Sequence, residues 1–170
     1  MKLNYVEQSA AEPSREDSDS KPAAILMHGM FGSLSNLGNL ARELSAEYRV
    51  IAVDLRNHGD SPHEDLMTIP LMAGDIIELM DDLGLPEAHL IGHSLGGKIA
   101  MQIAQTWPDR VRSLVVADIA PVNYPQSNNN VVEALSILDT QTIASRRDAD
   151  QAISTLIADK VTRGFILKNL

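Results

Sequence analysis

Cysteine is absent from the 170-residue chain. That excludes a disulfide framework, thiol catalysis and a thiolate metal site. Long apolar runs are missing as well. None reaches the roughly 18 residues of a membrane helix, and the opening Met1-Lys2-Leu3-Asn4-Tyr5-Val6-Glu7 lacks an apolar signal core. Basic residues are scarce: 14 Lys and Arg stand against 23 Asp and Glu, a net charge of −9. That sign opposes phosphate backbones and anionic lipid surfaces, so neither a nucleic-acid nor a membrane partner is expected. These shortages point to a cytoplasmic protein. One further shortage is positional. The histidines are His28, His58, His63, His89 and His93, and none follows residue 93.

What remains is ordinary for a soluble globular protein, with 44% hydrophobic and 22% charged residues. The length suits one domain, with or without an appendage. Short apolar runs at 3–8, 23–27, 49–53, 87–91 and 113–117 predict strands. Leu37, Leu40, Ala41 and Leu44 recur at helical spacing. So do Ile69, Met72, Ala73, Ile76, Leu79, Met80 and Leu83, with Gly84 and Pro86 as stop signals. Polar stretches at 9–21 and 123–130 read as loops. Short strands alternating with amphipathic helices predict a mostly parallel sheet covered on both faces. The alternation ends after Pro121, and from Val131 onward only helical segments follow, for instance around Ala149, Ile153, Leu156 and Ile157. The expected domains are an α/β core over 1–122 and an incomplete helical cap segment over 123–170.

Gly92-His93-Ser94-Leu95-Gly96 carries the most information. It is Gly-x-Ser-x-Gly, preceded by a strand pattern and followed by a helical one, the context of a nucleophile elbow. Side chains at 92 and 96 would collide with backbone in so sharp a turn. The Ser94 hydroxyl would stand at a helix N-terminus, where partial positive charge favours a developing oxyanion. Gly92 to Ile99 also approaches the phosphate-binding Gly-x-x-x-x-Gly-Lys-[Ser/Thr]. That P-loop NTPase reading fails at Ile99, which has no hydroxyl for Mg²⁺.

Three more stretches each follow a predicted strand: His28-Gly29-Met30-Phe31-Gly32-Ser33, Asp54-Leu55-Arg56-Asn57-His58-Gly59-Asp60-Ser61 and Asp118-Ile119-Ala120-Pro121. With Gly92-His93-Ser94-Leu95-Gly96-Gly97-Lys98, they resemble the α/β-hydrolase superfamily, and within it the small bacterial esterases of the YbfF type. The resemblance runs along the chain in register and is strongest between Ile25 and Pro121. It implies an α/β-hydrolase-type mostly parallel sheet with helices on both faces, truncated after the sixth strand, plus the start of a helical cap.

The resemblance also implies roles. Ser94 would be the nucleophile of a serine hydrolase acting on carboxylic esters of short or medium acyl chains through an acyl-enzyme. Leu95 N–H would form one half of the oxyanion hole and Met30 N–H the other, with Phe31 in reserve. Asp118 would be the acid that orients the base, because some members carry it at this strand end. In the order Ser, acid, His, the catalytic histidine would lie beyond Leu170. His28 precedes the nucleophile and reads as a prop for the 28–33 loop. His93 is expected to face away from Ser94, and Asp54, Arg56 and His58 to form a network bracing a loop. No cofactor and no metal is implied. The alternative from another class is a non-catalytic hydrolase-like fragment or binding protein. The apolar 113–117 strand would have an open edge, so a C-terminal complementing segment or self-association is expected.

Overall fold

Ala23–Met27, strand β2, is apolar at every position and buried at every position. A strand can carry such a run only where both faces of its sheet are covered. Four more strands complete the sheet: β1 Tyr5–Gln8, β3 Arg49–Val53, β4 Ala88–His93 and β5 Val111–Ala117. Their order is β1-β3-β2-β4-β5, with β1 antiparallel to β3 and all other pairs parallel. The described residues thus supply five strands, where the resemblance implied six. The computed structural model describes residues 1–8, 21–122, 130–138 and 143–167. Most of the two stretches read as loops, 9–20 and 123–129, lies outside them.

The pleat of the sheet sorts the core. Leu26, Val50 and Ala52 pack on one face with Ala41 of helix α1 (Gly38–Leu44), entered through a 3₁₀ turn at Leu34–Leu37. Ile25, Met27, Ile51, Val53 and Leu90 pack on the other face. There they meet Met72, Ile76 and Met80 of α2 (Ile69–Asp82) and Ile99 and Ile103 of α3 (Leu95–Thr106). Alternate residues of one strand therefore serve opposite layers. The helical spacing 37, 40, 41, 44 overstates the buried stripe of α1, since Leu40 is exposed and Ala41 is the buried residue.

Helix α2 shows why its ends fall where they do. Thr68 caps the N-terminus by accepting from Leu71 N–H, and a proline occupies the first turn. At the far end Gly84 adopts φ +66°, Leu85 N–H donates to Met80 O (2.8 Å) and Gly84 N–H to Asp81 O (3.1 Å). Those two bonds are a Schellman close, which needs the left-handed residue that glycine supplies.

Met1–Pro121 and Val122–Leu170 are separate compact units. The second holds helices α4 (Asn130–Ser136), α5 (Arg146–Ile153) and α6 (Lys160–Ile166). Ala134, Leu138, Ala149, Ile153, Ile157, Ile166 and Leu167 form its own core. Arg163 fastens it, donating to Asp150 (2.8 Å) and to the Ile157 and Ala158 carbonyls. No described helix is long and apolar enough to cross a membrane.

Candidate active site

The strand β4 stops at His93, α3 starts at Leu95, and Ser94 alone makes the turn at φ 50°, ψ −108°. A serine at positive φ is strained, by about 1–3 kcal/mol, and strain of this kind persists only where the surroundings enforce it. Here they do. Ser94 N–H donates to Ala117 O at the end of β5 (2.9 Å), and Gly96 N–H donates to His28 O at the end of β2 (3.1 Å). The flanking glycines are compelled by space. A Cβ on Gly92 would lie 2.3 Å from the Gly96 carbonyl, and one on Gly96 would lie 2.3 Å from the Met27 carbonyl oxygen.

The 28–33 loop runs beside this turn. A Cβ on Gly29 would sit 3.4 Å from Ser94 Cβ and 2.8 Å from His93 Nδ1. Gly32 N–H closes the loop on Gly29 O (3.0 Å), and Phe31 takes φ 61°. Met30 is exposed, Phe31 half-buried and Leu95 buried. Leu95 is the first residue of α3, so no carbonyl one turn back serves its N–H. Leu95 follows Ser94 directly, and Met30 and Phe31 follow Gly29, the loop residue that borders Ser94.

His28 is buried and its two ring nitrogens are both engaged. Nε2 accepts from Leu55 N–H (3.1 Å), so Nδ1 carries the proton and donates to Gly29 O (2.7 Å). Burial lowers its pKa from 6.5 to about 4, aided by the neighbouring His58 and His93. A neutral imidazole with both nitrogens occupied props the loop and has no lone pair to offer a hydroxyl.

Asp118 follows β5 at φ 57°, with its carboxylate largely exposed. His93 Nε2 lies 3.6 Å from Asp118 Oδ2. The His93 ring and Ser94 Cβ both border Gly29.

The 54–61 loop forms the network that its charged residues suggest. Arg56 makes a two-pronged ion pair with buried Asp75 of α2, both contacts at 2.8 Å, and donates to Leu66 O. This pairing raises the Arg56 pKa further. His58 engages the Arg56 carbonyl at 2.8 Å and meets the His28 ring edge-on. Asp54 accepts from Leu34 N–H, Asn4 Nδ2 and Asp60 N–H. The residue pattern shows a brace here but not that Asp54 reaches Leu34, the residue just after the 28–33 loop. Ile99, the position that excluded a P-loop, is fully buried in the core. Among the described residues no group of three His, Asp or Glu side chains is placed to hold a metal ion.

Residues 22–149 match the family described as alpha/beta hydrolase fold. Esterase YbfF of Escherichia coli K12 is 35% identical, over 99% of this chain and 65% of its own length. The sn-1-specific diacylglycerol lipase ABHD11 of Xenopus laevis is 38% identical over 88% of this chain and 50% of its own. A solved structure described as a marine microorganism esterase superposes with a TM-score of 0.88 at 35% identity, over 98% of this chain and 63% of that one. The chain spans about half to two-thirds of the length of these relatives. On the match over 22–149, and on the sheet and strand–serine–helix turn described above, the chain belongs to the alpha/beta hydrolase fold family.

Proposed function

We propose that the complete protein carrying this chain hydrolyses carboxylic esters, of short or medium acyl chains, with Ser94 as nucleophile. The observation that carries this reading is the Ser94 backbone, strained at φ 50° and held between the ends of β2 and β5. The names of the relatives, esterase and lipase, support the reaction class. In this reading Ser94 Oγ attacks the ester carbonyl carbon, forming an O–C bond, and the carbonyl oxygen takes up the negative charge. Met30 N–H and Leu95 N–H receive that charge, with Phe31 N–H the alternative to Met30. The hydroxyl proton passes to a histidine that the order Ser, acid, His puts after Asp118, and Asp118 orients it. That histidine returns the proton to the leaving alcohol, and water then releases the acid by the same route. The apolar character of exposed Met30 and of Phe31 and Leu95 favours an aliphatic acyl chain.

The reading includes a cytoplasmic setting and an association. Strand β5 ends the described sheet, and Leu114 and Val115 on it are exposed. An apolar edge of this kind is a template for pairing, with a complementing C-terminal segment or with a second copy.

The test is Ser94→Ala in the complete protein, read with p-nitrophenyl esters. Turnover should fall to a background of about 10³-fold over water, with the fold intact. Wild-type turnover in the variant would end the proposal.

A further inference from the structure

We infer that the Asp54 carboxylate, through its bond to Leu34 N–H, is a positioning residue that aims the 29–34 loop at the oxyanion of Ser94 chemistry. The inference rests on the ester-hydrolase reading above and adds to it the residue that fixes half of its oxyanion hole.

The segment from Gly29 to Leu34 is held at both ends by consecutive residues of another loop. At its start, Gly29 O accepts from His28 Nδ1, and the other nitrogen of that ring is held by Leu55 N–H. At its end, Leu34 N–H donates to Asp54 Oδ1 at 2.7 Å. Met30 and Phe31 lie between these two anchors. The turn that carries their amides, closed by Gly32 N–H on Gly29 O (3.0 Å), is seated between the bonds from Asp54 and Leu55.

The site around Asp54 is lined by hydrogen-bond donors. Its side chain is buried, and Leu34 N–H, Asn4 Nδ2 and Asp60 N–H all donate to it at 2.7–3.0 Å. A carboxylate has acceptors only, so it answers three donors at once; an amide cannot. The neighbouring backbone is fitted around it. Gly59 has φ +54°, and a Cβ there would stand 2.2 Å from Asp54 Cγ. Ser61 Oγ donates to Asp54 O (2.6 Å) while accepting from Asn4 N–H (2.8 Å), which fixes the backbone of Asp54 as well. None of these groups touches the reacting atoms. Their effect on chemistry runs through the direction of the Met30 amide.

The test removes one bond. Leu34 opens the Leu34–Leu37 turn behind an extended Ser33 (φ −149°, ψ 171°). Proline is tolerated at such a position and lacks the N–H. Leu34→Pro is compared with Leu34→Ala, which loses the side chain but keeps the donor. Both are made in the complete protein. Two quantities are read: kcat and KM for a p-nitrophenyl ester, and the affinity of a trifluoromethyl ketone that forms a hemiketal oxyanion on serine. A misdirected donor should lower kcat and the ketone affinity together, by about tenfold to a hundredfold for Pro relative to Ala, with KM within about threefold. Asp54→Asn, which keeps the volume but sets an NH2 among three donors, should show the same pattern. Equal kcat and equal ketone affinity in folded Leu34→Pro and Leu34→Ala would overturn the inference. So would unfolding of both Leu34→Pro and Asp54→Asn, which would leave Asp54 a purely structural role. Turnover surviving in Ser94→Ala would instead refute the ester-hydrolase reading itself.

Discussion

Replacing glycine by alanine should have opposite effects at two helical positions of this protein. Gly96 lies in the first turn of α3, and an added Cβ would stand 2.3 Å from the oxygen, and 2.7 Å from the carbon and Cβ, of Met27. Met27 belongs to the central, wholly buried strand, so it cannot yield. The start of α3 must retreat by about 1 Å to restore van der Waals contact. Overpacking of this kind costs about 1–3 kcal/mol. The retreat also weakens the Gly96 N–H bond to His28 O, a further loss of about 1 kcal/mol. Alanine returns about 1 kcal/mol through its lower backbone entropy in a helix. The net expectation is a loss of about 2 kcal/mol, or about 4–8 °C in Tm for a chain of this size. Gly74, inside α2, has nothing within 4 Å of the same added atom. Gly74→Ala should therefore gain about 0.5–1 kcal/mol. Urea unfolding with an unchanged m-value is the assay. A Gly96→Ala variant as stable as wild type would refute the close-approach argument, and a loss at Gly74 would refute the open-space one.

Three further outcomes follow from the site. His28 is neutral in the folded chain with a pKa of about 4, against 6.5 in the unfolded chain. The unfolded state thus binds the extra proton between those values, so stability is full above pH 6.5 and falls by about 3 kcal/mol as pH drops to 4. Urea midpoints for wild type and His28→Gln should converge over that interval, and parallel curves would refute the assignment. Asp118→Asn in the complete protein should lower kcat by about 10⁴-fold with the fold retained, as loss of a triad acid does; a loss of only a few-fold would place the acid elsewhere. Sedimentation of the 170-residue chain should show self-association or a bound partner through the β5 edge, and a cooperatively unfolding monomer would contradict that proposal.

The buried strands were legible because strands covered on both faces leave an unbroken apolar run, as in 23–27 and 49–53. The elbow was legible because its demands are local: two glycines without room for a Cβ, one serine, and a strand and helix on either side. Spacing misjudged Leu40, because a helix that meets the sheet by a small residue buries Ala41 and lets its larger neighbour face water. Contacts made across the sequence were out of reach. Two of the donors on Asp54 come from residues 4 and 34, which only the strand order brings to its carboxylate. His93 comes within 3.6 Å of Asp118 because β4 and β5 pair His93 with Ala117, a register that is not written in a pattern of residue types.

The central claim is that Ser94 is the reacting group, and covalent mapping tests it most directly. A fluorophosphonate transfers phosphorus to an activated serine, forming an O–P bond as fluoride leaves. After reaction with the complete protein and digestion, the peptide holding Gly92-His93-Ser94-Leu95-Gly96 should carry the adduct on Ser94, and Ser94→Ala should carry none. An adduct on a different serine, with Ser94 unmodified, would contradict the account.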